Sequence, residues 1–453
     1  MLAVFRVRSF RFQLPADLLT SWAFEMETII LGWYVMVHTG SVLLLTAFAS
    51  LQFLGTLAAP MFGVLGDRLG ARTMLCVMRV TYAVLASVMM LLALSGLLTP
   101  VWVFAIAAVT GFVRPNDLVM RNSLVGETIP PRQLMGALGM SRAVMDSARV
   151  AGALAGAGLS SMLGIGPTYV FVTSFYLAGL ALTFGVSRWR PVDPSSPSTN
   201  SPSTNSPSPY PLPRGEKVSV DSAEPARGSR EREGRRVEER SRWRDLRDGL
   251  AHVAATPALL AGMWLAFLIN LTAYPISSGL LPYVARQVFL VDATGLGWLV
   301  ASFSAGGLLA SLTMVVTGGS SRPERATLVY TAVWYALLLG FAHVRTLGGG
   351  LLLLSAAGFV QNVAMISMAG TLLAFADERY RGRVMGVRTL AVYGMLPGLM
   401  ASGALIERIG YSLTITGCAA VGLLFTLLIG MKWRASMWQP RVGAGARSVP
   451  QRV

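Results

Sequence analysis

About twelve apolar runs of membrane-spanning length occupy most of this chain, and they restrict its fold more than any other feature. A helix needs about 20 mostly apolar residues to cross the hydrocarbon core of a bilayer. We place the runs at residues 14–37, 43–62, 74–98, 101–120, 136–162, 168–187, 256–280, 295–317, 327–344, 348–375, 384–406 and 411–431. The composition agrees, because 53% of the 453 residues are hydrophobic and only 13% are charged. We therefore predict an all-α membrane protein with twelve transmembrane helices.

The basic residues are concentrated in alternate loops. One set of loops holds Arg6, Arg8, Arg11, Arg68, Arg72, Arg132, Arg322, Arg325, Arg379, Arg381, Arg383, Lys432 and Arg434, together with the arginine-rich middle segment. The intervening loops hold essentially Arg286, Arg345 and Arg408. Basic loops stay in the cytoplasm, so this asymmetry predicts a multi-pass protein of the bacterial inner membrane with both termini cytoplasmic. The net charge of +16 is explained in this way, and no soluble basic domain that would bind nucleic acid is present.

The apolar pattern stops between residues 187 and 248, where Pro, Ser and Asn are followed by alternating Arg and Glu. Such a segment cannot bury a core, so we predict a disordered cytoplasmic linker. It serves either as a tolerated spacer or as a basic surface for anionic lipids. The linker divides the chain into two six-helix bundles, at residues 1–186 and 249–434, and a cytoplasmic tail follows at 435–453. Two pseudo-equivalent bundles with a site between them are typical of rocking transporters.

A short charged turn joins the second and third apolar runs. Glycines let two helices approach closely, and an Asp beside arginines can clamp helix ends that must separate when the protein changes shape. The residues of the turn that fit this role are Gly63, Gly66, Asp67, Arg68, Gly70 and Arg72. The alternative is a tight turn whose arginines only follow the charge asymmetry.

This turn resembles the signature loop of the major facilitator superfamily, Gly-x-x-x-Asp-Arg-x-Gly-Arg/Lys-Arg, although Ala71 replaces a basic residue. The resemblance covers nearly the whole chain except the linker and the tail. It implies two pseudo-symmetric six-helix bundles and assigns Asp67, with Arg68 and Arg72, to a gate that closes against the eleventh helix. Arg381 and Arg383, which precede that helix, belong to the same expected gate.

A finer resemblance concerns the branch of the superfamily. Residues 31–34, 39–41 and 379–384 are similar to a bacterial branch of exporters that includes siderophore and macrolide efflux permeases. The fifth span lacks the Gly-Pro pair that drug-proton antiporters of the superfamily carry. Small residues at 148, 152 and 156 nevertheless predict close helix packing there.

Two carboxylates lie in the first apolar run. A charged residue within a span costs at least about 2.5–3.5 kcal/mol on insertion scales, so Glu25 and Glu27 are functional candidates. They are two residues apart on the helix, so at most one is expected to face a central cavity. Such a carboxylate can couple transport to protons, or it can form a structural pair with an arginine. Asp17 follows Pro15 near the predicted helix start, where we expect it to complement the helix N-terminus.

Charged stripes mark the fourth and fifth spans. Arg142, Asp146 and Arg149 are four and three residues apart, and a similar spacing relates Arg114 to Asp117 and Arg121. Residues at this spacing share one helix face and pair along it. The stripes are expected to receive the acidic residues of the first helix or an anionic substrate group. Alternatively they lock helix ends, and we favour that role for Arg121 and Arg142.

The second half offers fewer polar side chains within its spans. The candidates to line a cavity are Asn270, Gln361, Asn362, Arg388 and Tyr393. Isolated amides in a helix bundle more often form hydrogen bonds between helices than bind ligands. Pro397 and Gly398 are expected to kink the eleventh helix, because proline removes a backbone hydrogen bond.

Other chemistry has little support. Cys76 and Cys418 fall within apolar runs and the three histidines are scattered, so we predict neither disulfides nor a metal site. The glycines at 348–350 lack the Lys-Ser/Thr ending of a nucleotide-binding loop, so we expect no cofactor and no enzymatic activity.

The features together predict a monomeric secondary transporter embedded in the lipid bilayer. We expect it to export a small organic molecule by alternating access, with inward proton flow as the candidate driving force. A non-transporting sensor or scaffold with the same fold is the alternative from another functional class. An uptake carrier is the third reading, because the fold does not fix the direction of transport.

Overall fold

The computed structural model describes residues 7–56, 58, 61–62, 65–66, 69–129, 131–186, 251–317, 322–376, 384, 387–388 and 390–434. Within these ranges the protein is helical and contains no strand. The helices of the first half are α1 (Arg8–Thr39), α2 (Val42–Leu51), α3 (Ala71–Leu94), α4 (Pro100–Thr128), α5 (Pro131–Leu163) and α6 (Ile165–Phe184). Those of the second half are α7 (Pro257–Thr272, continuing to Val288), α8 (Ala293–Thr317), α9 (Pro323–Phe341), α10 (Leu347–Phe375), α11 (Met395–Ile409) and α12 (Tyr411–Lys432).

The helices occupy the positions of the predicted apolar runs, which confirms an all-α membrane fold. Seven of the described helices are long and apolar enough to cross a membrane. The other five are α1 and α5, which carry several charged residues within their length, α2 and α11, which are short, and the 19-residue α9. The predicted start of the first helix was late, since α1 begins at Arg8, six residues before Leu14. Phe10 and Gln13 explain the difference, because both are buried and tie this extra turn to the protein interior.

The first bundle is built around α1, which packs on α5 and α6, while α3 packs on α6. Its core includes the fully buried rings of Tyr82, Tyr169 and Tyr176. The predicted close approach at α5 is present, because a Cβ at Gly156 would lie 2.7 Å from the Cα of Met26. Small residues thus bring the backbones of α1 and α5 into contact.

The second bundle has an even closer helix pair. A Cβ at Gly306 of α8 would lie 1.9 Å from the carbonyl oxygen of Ser355 on α10. Reciprocally, a Cβ at Gly358 of α10 would lie 1.9 Å from the carbonyl oxygen of Phe303 on α8. Only glycine fits at either position, so α8 and α10 touch backbone to backbone.

Helix α7 departs from regular α geometry after Thr272. Two π-helical turns, at Pro275–Gly279 and Val284–Val288, flank the short segment Leu281–Tyr283. Single π turns within α-helices are frequent at functional sites, because they change the direction of nearby side chains. The residue immediately before the first π turn is Tyr274.

Several of the contacts between the two bundles lie at one side of the molecule. We call the side where α1 begins and α12 ends the terminal side, and the opposite side the far side. At the far side, the Ser41 hydroxyl and the Leu43 N–H both donate to Glu407, at 2.8 and 3.2 Å. Arg286 donates to the carbonyl oxygen of Met36 at 3.0 Å. In this structure the far side is therefore closed.

Helices α5 and α8 form a second seam between the bundles. A Cβ at Gly297 of α8 would lie 2.5 Å from the Cβ of Ala157 on α5, and the Thr294 hydroxyl donates to that of Ser161 at 3.1 Å. Small side chains again permit the close approach.

The backbone before α11 changes geometry one turn ahead of Pro397. Val392–Gly394 is a 3₁₀ turn, and Pro397 cannot donate a hydrogen bond to the carbonyl of Tyr393, four residues earlier. Gly398 has a different role, because a Cβ there would lie 2.3 Å from the carbonyl oxygen of Leu271 on α7. That α11 bends at this point during transport stays a prediction.

Candidate functional site

Several polar side chains lie at one level between the two sides of the molecule, because each is 14 residues from the far-side end of its helix. This count corresponds to about 21 Å along a helix axis. They include Glu25 of α1, Arg114 of α4, Arg149 of α5, Tyr274 of α7 and Gln361 of α10. We call this level the mid-level, and it contains side chains from both bundles.

Glu25 is the centre of an ion cluster at the mid-level. Its Oε1 atom lies 3.5 Å from Nε of Arg149 and 4.0 Å from Nη2 of Arg114. Arg114 also donates to the Thr28 hydroxyl at 2.8 Å and to the side-chain oxygen of Gln52 at 2.7 Å. The expectation that the arginine stripes receive an acidic residue of the first helix is confirmed for this pair of arginines.

The ion cluster is open on the side of Arg149. Half of the Arg149 side chain, 51%, is exposed, compared with 24% for Arg114 and 20% for Glu25. Arg149 lies on α5, which packs on α8 of the other bundle, and half of its side chain is left uncovered by protein.

Glu27 points to a different side of α1 and is buried. The Tyr176 hydroxyl donates to its carboxylate at 2.8 Å, and the Tyr169 hydroxyl lies 3.5 Å away. No arginine or lysine nitrogen among the described residues lies within 4.0 Å of Glu27, in contrast to Glu25. The two glutamates therefore differ in environment, as the helical spacing predicts.

Asp17 does not complement a helix N-terminus, so that prediction was wrong. It lies nine residues inside α1 and forms buried ion pairs with Arg79 of α3 and Arg121 of α4. Arg121 also pairs with Asp117 along its own helix and donates to the Ser21 hydroxyl at 2.8 Å. The result is a buried network of two carboxylates and two guanidinium groups that links three helices.

A cavity of about 250 Å³ adjoins this network between α1, α4 and α5. Asp17 and Arg121 line one wall, and Ser141 and Arg142 line another. Arg142 pairs with Asp146 at 3.3 Å, and 53% of the Arg142 side chain is exposed. The spacing of the stripe predicts this pair, and the cavity shows that Arg121 and Arg142 border the same space.

The expected gate is described only in part, because Gly63, Asp67, Arg68, Arg381 and Arg383 lie outside the described residues. A Cβ at Gly66 would lie 2.9 Å from the sulfur of Met120 on α4. Gly70 has φ +81°, a conformation that favours glycine. Arg72 donates to the carbonyl oxygen of Phe184 at the end of α6, at 3.0 Å, so its described contact lies within the first bundle.

Two of the three candidate amides in the second half make hydrogen bonds between helices, as expected, and Asn270 does not in the described part of the chain. Asn270 donates to the carbonyl of Ala266 within its own helix. Asn362 of α10 donates to the Ser311 hydroxyl of α8 at 2.9 Å, and Gln361 donates to the Tyr274 hydroxyl at 2.9 Å.

Tyr393 and Arg388 lie on the segment that precedes α11. The Tyr393 hydroxyl donates to the carbonyl oxygen of Thr56 in the other bundle, at 3.1 Å. Arg388 is partly buried. No carboxylate of the described residues lies within 4.0 Å of Arg388, unlike Arg114 and Arg149.

Sequence reasoning missed Arg79 and the tyrosines that surround the carboxylates. Arg79 is the one charged residue within the long apolar run 74–98. Because a buried charge is costly, its presence there could have predicted an acidic partner on another helix. Tyr169, Tyr176 and Tyr274 gave no comparable signal, since tyrosine is ordinary in membrane helices. Their roles depend on which helices are neighbours.

A comparison of the sequence with models of known protein families matches residues 17–396 to the Major Facilitator Superfamily. The chain belongs to the major facilitator superfamily. This membership and the helical fold indicate a transmembrane transporter, not an enzyme. No curated protein matches the chain.

Solved structures of other major facilitator transporters are similar across nearly the full length. A POT family transporter in complex with 5-aminolevulinic acid is 10% identical with a TM-score of 0.65, covering 95% of this chain and 97% of that one. The nucleoside transporter NupG is 12% identical with a TM-score of 0.64, covering 95% and 100%. The human organic anion transporter MFSD10 is 16% identical with a TM-score of 0.57, covering 93% and 99%. At these identities the likeness shows the fold alone, and the exporter branch stays a prediction.

Proposed function

We propose that this protein is a secondary active transporter that exports a small organic molecule by alternating access. We place it in the bacterial inner membrane as a monomer, with both termini and the linker in the cytoplasm. The observation that carries the proposal is the ion pair between Arg149 and Glu25 at the mid-level. The Arg149 side chain is half exposed, and the two bundles are in contact at the far side. Charged groups at this depth are costly unless they are paired or reached by water or a ligand, and here the arginine is both paired and half exposed.

Alternating access requires that the far-side contacts break and re-form. Besides the packing of α5 on α8, these contacts are three hydrogen bonds, from Ser41 and Leu43 to Glu407 and from Arg286 to Met36. Each contributes about 0.5–3 kcal/mol at most, which a transport cycle can supply from substrate or ion binding. The far side can therefore open without unfolding either bundle.

Glu27 is the better of the two candidates for proton coupling. Glu25 keeps its charge balanced through Arg114 and Arg149, whereas two phenol hydroxyls support the buried carboxylate of Glu27. A buried carboxylate without a cation in contact is more costly to keep charged, so a proton can bind and leave there during the cycle.

Flux in vesicles tests the proposal. Proteoliposomes with an imposed pH gradient would be incubated with a small-molecule extract of the expressing cells, and the internal contents would be compared with protein-free liposomes. We expect at least one compound to move against its gradient with wild-type protein. We expect Glu27→Gln to abolish the dependence on the pH gradient.

Two outcomes would contradict parts of this proposal. Gradient-driven movement that persists unchanged in both Glu25→Gln and Glu27→Gln would exclude proton coupling through these residues. A protein that moves no compound at all would fit the sensor or scaffold alternative. In vesicles that contain the protein in one known orientation, the direction of transport relative to the linker can be measured directly. This measurement distinguishes export from uptake.

A further inference from the structure

We propose that the cavity between α1, α4 and α5 binds an oxyanion group of a ligand, that is, a carboxylate, phosphate or sulfate. The inference goes beyond the proposed transport function, because binding at this cavity is measured without any flux. It follows from side chains that line the cavity and whose hydrogen-bond donors have no acceptor among the described residues.

Arg142 of α5 provides the exposed part of the site. Its Nε donates to Asp146 at 3.3 Å, and 53% of its side chain is exposed. An arginine has five N–H donors, and the four on Nη1 and Nη2 of Arg142 have no acceptor in the described part of the chain. The pair with Asp146 therefore orients the guanidinium and leaves its outer edge free, and this planar edge binds oxyanions through two parallel hydrogen bonds.

Arg121 of α4 provides the buried part of the site, since only 4% of the residue is exposed. Its Nε pairs with Asp117, and its Nη1 donates to the Ser21 hydroxyl at 2.8 Å and to the carbonyl oxygen of Asp17 at 3.2 Å. Its Nη2 is buried and has no acceptor among the described residues. Such a donor costs about 1–3 kcal/mol, which a ligand oxygen in the adjoining cavity offsets.

Each of the two helices adds an uncharged polar side chain next to its arginine. The Ser141 hydroxyl of α5 is buried without a partner in the described part of the chain, and the exposed Asn122 of α4 also lines the cavity. Leu118 and Met145 contribute an apolar wall. Apolar walls with a few convergent polar groups are typical of sites for small organic ligands.

The charges around the cavity are paired within the protein, so the site depends on free donors and not on a surplus of positive charge. Asp17 also lines the cavity, but its carboxylate already pairs with Arg79 and Arg121. Arg142 pairs with Asp146. The ligand that fits these free N–H and O–H groups is therefore one that brings several acceptor oxygens.

The cavity is separate from the ion cluster of Glu25. Arg121 is seven residues from Arg114 on α4, and Arg142 is seven residues from Arg149 on α5. Both spacings correspond to about 10 Å along a helix axis, toward the terminal side. An oxyanion in the cavity contacts α4 and α5 together, so its binding is expected to hold these two helices in one arrangement.

Calorimetric titration with sulfate tests the inference on the purified full-length protein in dodecyl maltoside, at constant ionic strength set with chloride. We expect saturable binding to the wild type. Arg142→Lys keeps the charge beside Asp146 but lacks the planar edge, and it should weaken binding about tenfold or more. Ser141→Ala removes one uncharged donor and should weaken binding about two- to tenfold.

Ser147→Ala is the matched control for Ser141→Ala. Ser147 lies on the same helix, but it is exposed and its hydroxyl donates to the carbonyl oxygen of Val144 at 2.8 Å. Arg345→Gln is the second control, because it removes an exposed arginine that binds Ser412 at the far side. Both variants should bind sulfate as the wild type does.

A competition arm distinguishes a lipid headgroup from a soluble ligand as the source of the oxyanion. Displacement of sulfate by added phosphatidylglycerol would show that a lipid phosphate enters the cavity, and undisturbed sulfate binding would assign the cavity to soluble ligands.

Absence of sulfate binding to the wild type would overturn the inference and leave the transport proposal untouched. The same holds if Arg142→Lys and Ser141→Ala bind sulfate with wild-type affinity. Equal weakening by Ser141→Ala and Ser147→Ala would also reject the cavity as the binding site.

Discussion

Asp17 is the residue on which the buried network of the first bundle depends. Asp17→Asn leaves Arg79 and Arg121 in place but removes the carboxylate that they share. Removing one partner of a buried ion pair leaves uncompensated charge and costs about 3–5 kcal/mol. We expect a loss of this size in the free energy of unfolding, measured by SDS titration in mixed micelles.

A matched variant in the same bundle separates this effect from a general loss of charge. Asp146→Asn breaks the pair with Arg142; the Asp146 side chain is buried, but more than half of the Arg142 side chain is exposed. The loss in the free energy of unfolding should therefore be smaller than that of Asp17→Asn, whose two arginine partners are both buried. Equal losses in the two variants would contradict the special role of the Asp17 network.

Part of the charged chemistry could be predicted at the residue scale and part could not. Helical spacing predicts the pairs Arg142–Asp146 and Asp117–Arg121, because both partners lie on one helix. Pairs between helices, such as Asp17 with Arg79, depend on which helices are neighbours. The prediction that Asp17 caps the helix was wrong because the helix start was placed too late. The first turn of α1 is polar, so it does not appear as part of the apolar run.

At the scale of elements, the contact between α1 and α5 is sensitive to a single methyl group. Gly156→Ala places a Cβ 2.7 Å from the Cα of Met26, so one backbone must move. Overpacking of this kind costs about 1–3 kcal/mol. We expect a lower melting temperature for the detergent-solubilised protein.

Gly158→Ala is the matched control for this packing prediction. It lies two residues further along the same helix, and a Cβ there has no neighbour within 4 Å. The same chemical change should therefore leave the melting temperature unchanged or slightly raised, since alanine favours helix over glycine. If both alanines lowered the melting temperature equally, the close approach of α1 and α5 would not be the cause.

Helix positions could be predicted well, because hydropathy over about 20 residues is a strong signal. Helix irregularities could not. The π turns of α7 and the short α2 depend on tertiary contacts, such as that of Gly55 with the carbonyl of Phe112, where a Cβ would lie 2.1 Å away. A sequence read one segment at a time contains no information about such contacts.

For the whole molecule, Glu407 connects the two bundles at the far side. It accepts hydrogen bonds from the Ser41 hydroxyl and the Leu43 N–H, so a residue of α11 satisfies the first turn of α2. Glu407→Ala removes both bonds and should shift the protein toward a state that is open at the far side. Spin labels at Leu44→Cys and Ile409→Cys, with Cys76 and Cys418 replaced by serine, would report this change as a longer distance.

Replacement of Arg345 by Gln provides the comparison for this measurement. Arg345 binds Ser412 within the second bundle, so its loss should leave the distance between the labels unchanged. An unaltered distance distribution in Glu407→Ala would mean that the hydrogen bonds to Ser41 and Leu43 do not hold the far side closed.

The orientation of the molecule in the membrane stays a prediction from the charge asymmetry. Reporter fusions after residue 68, within the linker and after the last helix should all report the cytoplasm. Fusions in the loops that contain Arg286 and Arg345 should report the opposite side. A linker found outside the cytoplasm would reverse the proposed direction of transport and the assignment of the gate.

The arrangement of two bundles could be predicted from the sequence because the linker interrupts the apolar pattern at its midpoint. The common level of Glu25, Arg149 and Tyr274 could not be predicted, since it depends on where three separate helices end. The family relationship supplies the fold but leaves the chemistry of this level to the individual chain.

The interlocked glycines of α8 and α10 have a mechanical consequence. Each helix places a glycine against a backbone carbonyl of the other, so neither can slide or tilt alone and we expect the two to move as one rigid unit. Within this unit, Gln361 of α10 donates a hydrogen bond to Tyr274, and Gly297 of α8 packs against α5 of the other bundle. We therefore expect a displacement of Tyr274 to shift the contact between α8 and α5, and with it the interface between the two bundles.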